Sequence, residues 1–256
     1  MAQNFQSEAD LWEKTIIGSS FQTPHTLRAL SQEQRLPNDN DIASAPQEFK
    51  IRLATNDNRR DSASLLINKM YSWRGYDTAH AVDAVPNRIT LVAVANETLM
   101  GTLTLGFDSE VGLLTDAMYK DEIDRMRKEN RIICELTRLA VDQSIRSKKL
   151  LASLFHIAYI YGHNIHKSTD FVIEINPRHA LFYKKMLGFE QWGAEKMCAR
   201  VNAPAVLLRL DLAYAEHNIA QFGGTVSKEL QEKSLYPYFF SRQEELGITN
   251  RLLKSG

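Results

Sequence analysis

The chain has very little cysteine: Cys134 and Cys198 are its only two in 256 residues. That excludes a disulfide framework and a cysteine zinc site and points to a reducing, cytoplasmic setting. It lacks an excess of charge, with Lys plus Arg and Asp plus Glu both at 31. No global field therefore draws it to nucleic acid, and any charged partner must be read by a local patch. Its apolar runs fall far short of the roughly 20 residues that cross a bilayer, so no integral membrane segment is expected. Met1–Asp10 is polar and acidic rather than a secretory leader. The seven histidines do not cluster with acids at metal-ligand spacing, and no metal site is expected. His156 and His163, seven apart on one helix face, read as exposed, and His179 as a helix-start residue.

What is present is an ordinary globular composition, 44% hydrophobic and 24% charged. Residues 1–47 are polar, with a short helical pattern from near Ser7 through Leu11, Trp12 and Ile16, and read as a weakly ordered arm. From there alternation and apolar runs predict strands at 49–53, 89–95, 99–107, 132–141, 171–175 and 205–212. Asn96-Glu97 is a hairpin turn between the second and third. Helical spacing predicts helices at 61–71, 121–128, 148–161 and 178–186, the last two stopped by Gly162 and Gly188. Residues 48–213 thus form a mixed α/β domain with helices on the faces of its sheet. Residues 214–256 read as polar helices around the aromatic loop Tyr236–Phe240, packed on the domain as an extension.

The chemistry concentrates in one stretch, Glu135-Leu136-Thr137-Arg138-Leu139-Ala140-Val141-Asp142. An acid and a base sit inside an apolar strand, where unpaired charge is costly. Arg146, Lys148 and Lys149 follow at the start of the next helix. Cations there oppose the helix dipole, so an acidic partner is one explanation and ordinary solvation the other.

The element order, with Phe182-Tyr183 and Leu187-Gly188-Phe189 closing the second main helix, resembles the GNAT acyltransferase superfamily over about Lys50–Asp211. Gly101-Thr102-Leu103, Leu113-Leu114-Thr115-Asp116 and Glu135–Asp142 resemble the branch with the acyl-homoserine lactone synthases. Asn176-Pro177-Arg178-His179 with Leu187-Gly188-Phe189 resembles that branch's N-acyl amino acid synthases. The resemblance implies a central, mostly antiparallel mixed sheet flanked by helices. It implies transfer of a fatty acyl group from an acyl carrier protein thioester to the amine of an amino acid. An acyl-homoserine lactone synthase and a non-catalytic module that binds acyl carrier protein are the alternatives. Lys149 and Leu151 stand where the GNAT pyrophosphate loop needs small residues. That disfavours CoA and leaves the acyl-phosphopantetheine of a carrier protein as donor, with no tightly bound cofactor. Arg146, Lys148 and Lys149 would then meet the acidic carrier.

Glu135 is the expected base, provided burial raises its pKa. Arg138 would hold Glu135 or the substrate carboxylate. Residues three apart on a regular strand face opposite ways, so the pair requires a β-bulge at about Leu136–Leu139. The alternative is that each is tied up in a separate structural ion pair. Tyr183 stands near a family general acid, one residue out of the usual spacing, and packing alone is the other reading. Trp73, Arg74 and Tyr76, with Leu139 and Val141, are the expected acyl and substrate contacts. Core packing for Trp73 and a surface place for Arg74 are the alternatives.

Overall fold

The computed structural model describes residues 15–21, 47–76, 82, 84–142, 147–225 and 232–255. Among them, β-branched and alternating segments form strands, and spaced apolar stripes form the helices that cover them. The order is β1 (Thr15–Phe21), β2 (Gln47–Leu53), α1 (Asp57–Trp73), β3 (Arg88–Ala95), β4 (Thr98–Phe107), α2 (Asp116–Lys128) and β5 (Ile133–Val141). Then come α3 (Lys148–Tyr159), β6 (Asp170–Ile175), α4 (Ala180–Leu187), β7 (Glu190–Gln191), β8 (Lys196–Cys198), β9 (Ala203–Asp211), α5 (Leu212–Phe222) and α6 (Arg242–Ser255).

The strands lie in the order β1-β2-β3-β4-β5-β6-β9-β7, with β8 paired to β9. The β5–β6 pair is parallel, and the other pairs are antiparallel. The sheet is therefore mixed and mostly antiparallel. Asn96 and Glu97 both take positive φ, 46° and 62°, as a two-residue turn matching strand twist requires. One sheet face packs on α3, α4 and the C-terminal segment in the main core. The other packs on α1 at one end and α2 at the other.

Three expectations change. The helical pattern through Ile16 is a strand over Thr15–Phe21, paired antiparallel to β2. Ile16 and Ile17 are buried in the main core, because a β-branched pair beside an open strand edge gains more from the sheet than from a lone helical turn. The remainder of the expected arm lies outside the described residues. His156 is fully buried rather than exposed. Its ring stacks on Phe239 and Phe240 at 4.8 and 4.9 Å, and its Nδ1 accepts the Phe240 N–H at 2.8 Å. His163 is half-buried. Helical spacing placed both on one face but could not show that the C-terminal aromatic segment covers it. Leu235, Tyr236, Phe239 and Phe240 join the main core.

Candidate active site

The site begins where two parallel strands part. β5 and β6 stay in register from Ile133 opposite Asp170 to Leu136 opposite Ile173, and their pairing ends there. β5 nevertheless runs on to Val141 and β6 to Ile175. The cause is visible on the other side of β5. Thr104 faces Thr137 and Thr102 faces Ala140, so a two-residue step on β4 meets a three-residue step on β5. This is the bulge the sequence calls for. Arg138 sits in it at φ 52°, a conformation that costs an ordinary side chain about 1–2 kcal/mol. Its carbonyl accepts the Thr102 hydroxyl at 2.8 Å.

A cavity of about 820 Å³ fills the opening, lined by both Glu135 and Arg138. Glu135 is fully buried. Its Oε2 accepts the Thr115 N–H at 2.7 Å, while Oε1 has no hydrogen-bond partner among the described residues. Gly106 lies opposite on β4, and a Cβ there would stand 3.2 Å from Oε1, so glycine gives this oxygen its space. Burial pushes the Glu135 pKa up, and the amides of Thr115 and Leu114 pull the other way. Among the described residues no ion pair joins Glu135 to Arg138. The bulge brings them to one cavity without tying them to each other.

The walls mix a polar rim with an apolar interior. Leu139, Val141, Leu103, Phe155 and Ile173 supply apolar surface. Tyr183 lies in the wall with its ring edge-on to Phe155 at 6.3 Å. Burial raises its pKa, which keeps it in the protonated form a general acid needs. Tyr71, also in the wall, is pushed up to about 12 by burial. Arg74 and Tyr76 line the rim, where Arg178 donates to the Tyr76 hydroxyl at 3.1 Å.

Residues 62–211 match the model of the N-acyl amino acid synthase FeeM family. The chain belongs to that family. The solved structure of FeeM, an N-acyl amino acid synthase from uncultured soil microbes, is 30% identical, with a TM-score of 0.59 over 66% of this chain and 93% of that one. Escherichia coli ElaA is 9% identical, with a TM-score of 0.49 over 64% of this chain and 99% of its own. The acyl-homoserine lactone synthase LasI is 13% identical, with a TM-score of 0.47 over 65% and 91%. No curated protein matches the chain. As a member of the FeeM family the protein is an acyltransferase with a GNAT-type fold.

Two expected site residues of this acyltransferase lie elsewhere. Trp73 is 60% exposed and is neither a cavity residue nor a core one. It ends α1, after the buried stripe Ala63–Leu66–Ile67–Met70 has run out, and the Arg74 guanidinium lies over its ring at 5.8 Å. Lys149 is turned onto the C-terminal segment. Its Nζ donates to the Tyr238 carbonyl at 3.1 Å and lies 5.1 Å from the Phe240 ring centre, and burial lowers its pKa. Lys148, half-buried, stands over the Tyr238 ring at 5.5 Å. Arg146 lies outside the described residues.

The structure also adds residues. Glu174, Cys198 and Arg200 line the same cavity, and Arg200 Nη2 donates to Glu174 Oε1 at 2.6 Å. Glu174 carried the same signal as Glu135, a lone acid within an apolar strand, Phe171–Ile175. His179 both precedes α4 and lines the cavity. Burial and the neighbouring Arg178 hold its pKa down at about 4, so the ring is neutral.

Proposed function

We propose that this acyltransferase moves a long-chain fatty acyl group from the phosphopantetheine thioester of an acyl carrier protein to the amine of an amino acid. The observation that carries the reading is the bulge at Arg138. It opens β5 from β6 and places the buried Glu135, with one oxygen unpartnered among the described residues, in the cavity wall.

An amine attacks a thioester only when neutral. Glu135 Oε1 takes the ammonium proton, directly or through water, and its raised pKa makes it a stronger base than a free carboxylate. In this reading the bulge turns a backbone N–H toward the thioester carbonyl, where it donates to the developing oxyanion. Tyr183 stands ready to protonate the leaving thiolate. The apolar wall takes the acyl chain.

The start of α3 favours a carrier protein over CoA. Ser147 Oγ accepts the Leu150 N–H at 3.1 Å, which consumes an amide that a pyrophosphate would need. Lys149 and Leu151 stand where a nucleotide cradle needs small side chains, and Leu151 is buried. Lys148, with Arg146, offers charge for an acidic carrier, and Lys149 serves the fold instead. Such a carrier places the reaction in the cytoplasm, which suits two buried, unpaired cysteines.

Incubation with acyl carrier protein thioesters, the matching acyl-CoA and pooled amino acids, followed by mass analysis, tests this. An N-acyl amino acid formed from the carrier-bound donor is expected. An acyl lactone from S-adenosylmethionine, or a product from acyl-CoA alone, overturns it.

A further inference from the structure

We propose that Glu174 and Arg200 together bind the head of the acceptor: Arg200 takes the carboxylate and Glu174 Oε2 one N–H of the ammonium. This rests on the amino acid reading above and assigns its recognition site.

The Glu174 side chain is only 8% exposed. One oxygen accepts from Arg200 at 2.6 Å. The other, Oε2, is buried with no partner at hydrogen-bond geometry among the described residues; the Cys198 thiol is its neighbouring protein donor, and Glu174 itself lines the cavity. A buried carboxylate oxygen left bare is costly, so a donor belongs there. Val172 is in register with Glu135, and Glu174 is two residues further along the same strand. The two carboxylates therefore share a sheet face, with Cα atoms about 8 Å apart on the diagonal.

Arg200 completes the complement. It uses one N–H on Glu174, and its other donors meet no protein acceptor among the described residues. An α-amino acid carries its ammonium and carboxylate on one carbon. An Arg–Glu pair joined by a single bond offers the opposite charges at that spacing, with a guanidinium edge to spare. Nearby cations are otherwise engaged. Arg178 bonds Tyr76 and His179, and the Arg74 guanidinium lies over the Trp73 ring. Cys198 adds no competing charge, since burial and the adjacent Glu174 raise its pKa and keep the thiol neutral.

The test compares an accepted amino acid with its decarboxylated amine, using acyl carrier protein thioester as donor. Wild type should prefer the amino acid. Arg200→Gln should raise KM for the amino acid about 10- to 100-fold, as expected for loss of a charged hydrogen bond, and leave KM for the amine unchanged. Arg200→Lys should recover part of the loss. Arg200→Gln leaves Glu174 buried and unpaired, so the double variant Glu174→Gln/Arg200→Gln, which removes both charges, guards against misfolding and should show the same selectivity loss. Unchanged KM for the amino acid, or equal losses for both substrates, overturns this assignment alone. Failure of wild type to acylate any amino acid overturns the parent reading, and this one with it.

Discussion

The two ends of the β5–β6 pair use the same residue types to opposite effect. At the closed end Asp170 is fully buried and saturated. Arg131 reaches it at 2.5 Å and Arg209 at 2.6 Å, and the Thr169 hydroxyl donates at 2.5 Å. At the open end Glu135 is equally buried, yet among the described residues Oε1 lacks a partner, as do Thr137 Oγ1 and Glu174 Oε2. One end spends its charges on holding strands together. The other leaves them available to something that is not protein. A buried acid is therefore not by itself a sign of function; a buried acid with an unmet oxygen beside a cavity is a far sharper one.

The largest test of this contrast is Glu135→Gln. Gln still accepts the Thr115 N–H, so the site keeps its shape while losing its base. Turnover should fall about 10²–10⁴-fold. Stability should move the other way. Because folding raises the Glu135 pKa, the folded state binds more protons than the unfolded one as this carboxyl titrates. Its contribution is full below the unfolded carboxyl value and is lost as pH rises through the folded one. Thermal melts against pH should show the variant gaining on wild type above that range and matching it below. Activity of wild type should rise with pH through the same window, since only the carboxylate accepts a proton. A variant less stable at every pH would put Glu135 in the structural class with Asp170.

The mirror experiment is Asp170→Ala at the closed end. It leaves Arg131 and Arg209 sharing Asp211 alone, which they already contact at 2.8 and 3.5 Å. Urea unfolding should show a loss of about 3 kcal/mol or more, with kcat and KM per folded molecule unchanged. A smaller effect is expected from Thr137→Val, which removes from the cavity wall a buried hydroxyl with no partner among the described residues. Stability should change by less than about 1 kcal/mol, while kcat/KM drops a few-fold. If stability falls instead, that hydroxyl has a structural partner and the contrast between the ends weakens.

The open end was the more legible of the two. Glu135 and Arg138 stood out as charges inside an apolar run, and the period-2 rule turned their spacing into a bulge that the register of the β4–β5 ladder contains. The central sheet and its helices followed from periodicity, within a few residues at most ends. What escaped depends on distant partners. Lys149 looked free because nothing local shows that the Tyr238 carbonyl, 89 residues on, receives it. His156 looked exposed because its cover, Phe239 and Phe240, arrives 83 and 84 residues later. Arg200 sits in the turn between β8 and β9, with no periodic signal, and only its meeting with Glu174 marks it. β7 and β8 are two and three residues long, too short to show alternation.

The finest test lies just outside the open end, where the chain re-enters at α3. Lys148→Ala removes one half-buried cation from the helix start without touching the cavity. With Lys149 bound inside the fold, the carrier patch depends on fewer charges than the sequence promised, so the loss should be small. KM for the carrier-bound donor should rise about two- to threefold at low salt, the scale of a single surface charge, and the difference should vanish near 1 M salt. Turnover at saturating donor should not change. Lys149→Ala should behave differently. It breaks the bond to Tyr238 and should lower the melting temperature with no salt-dependent change in donor KM. If Lys149→Ala instead weakened the carrier interaction as strongly as Lys148→Ala, the inward turn of Lys149 would not separate a fold-holding cation from a partner-facing one.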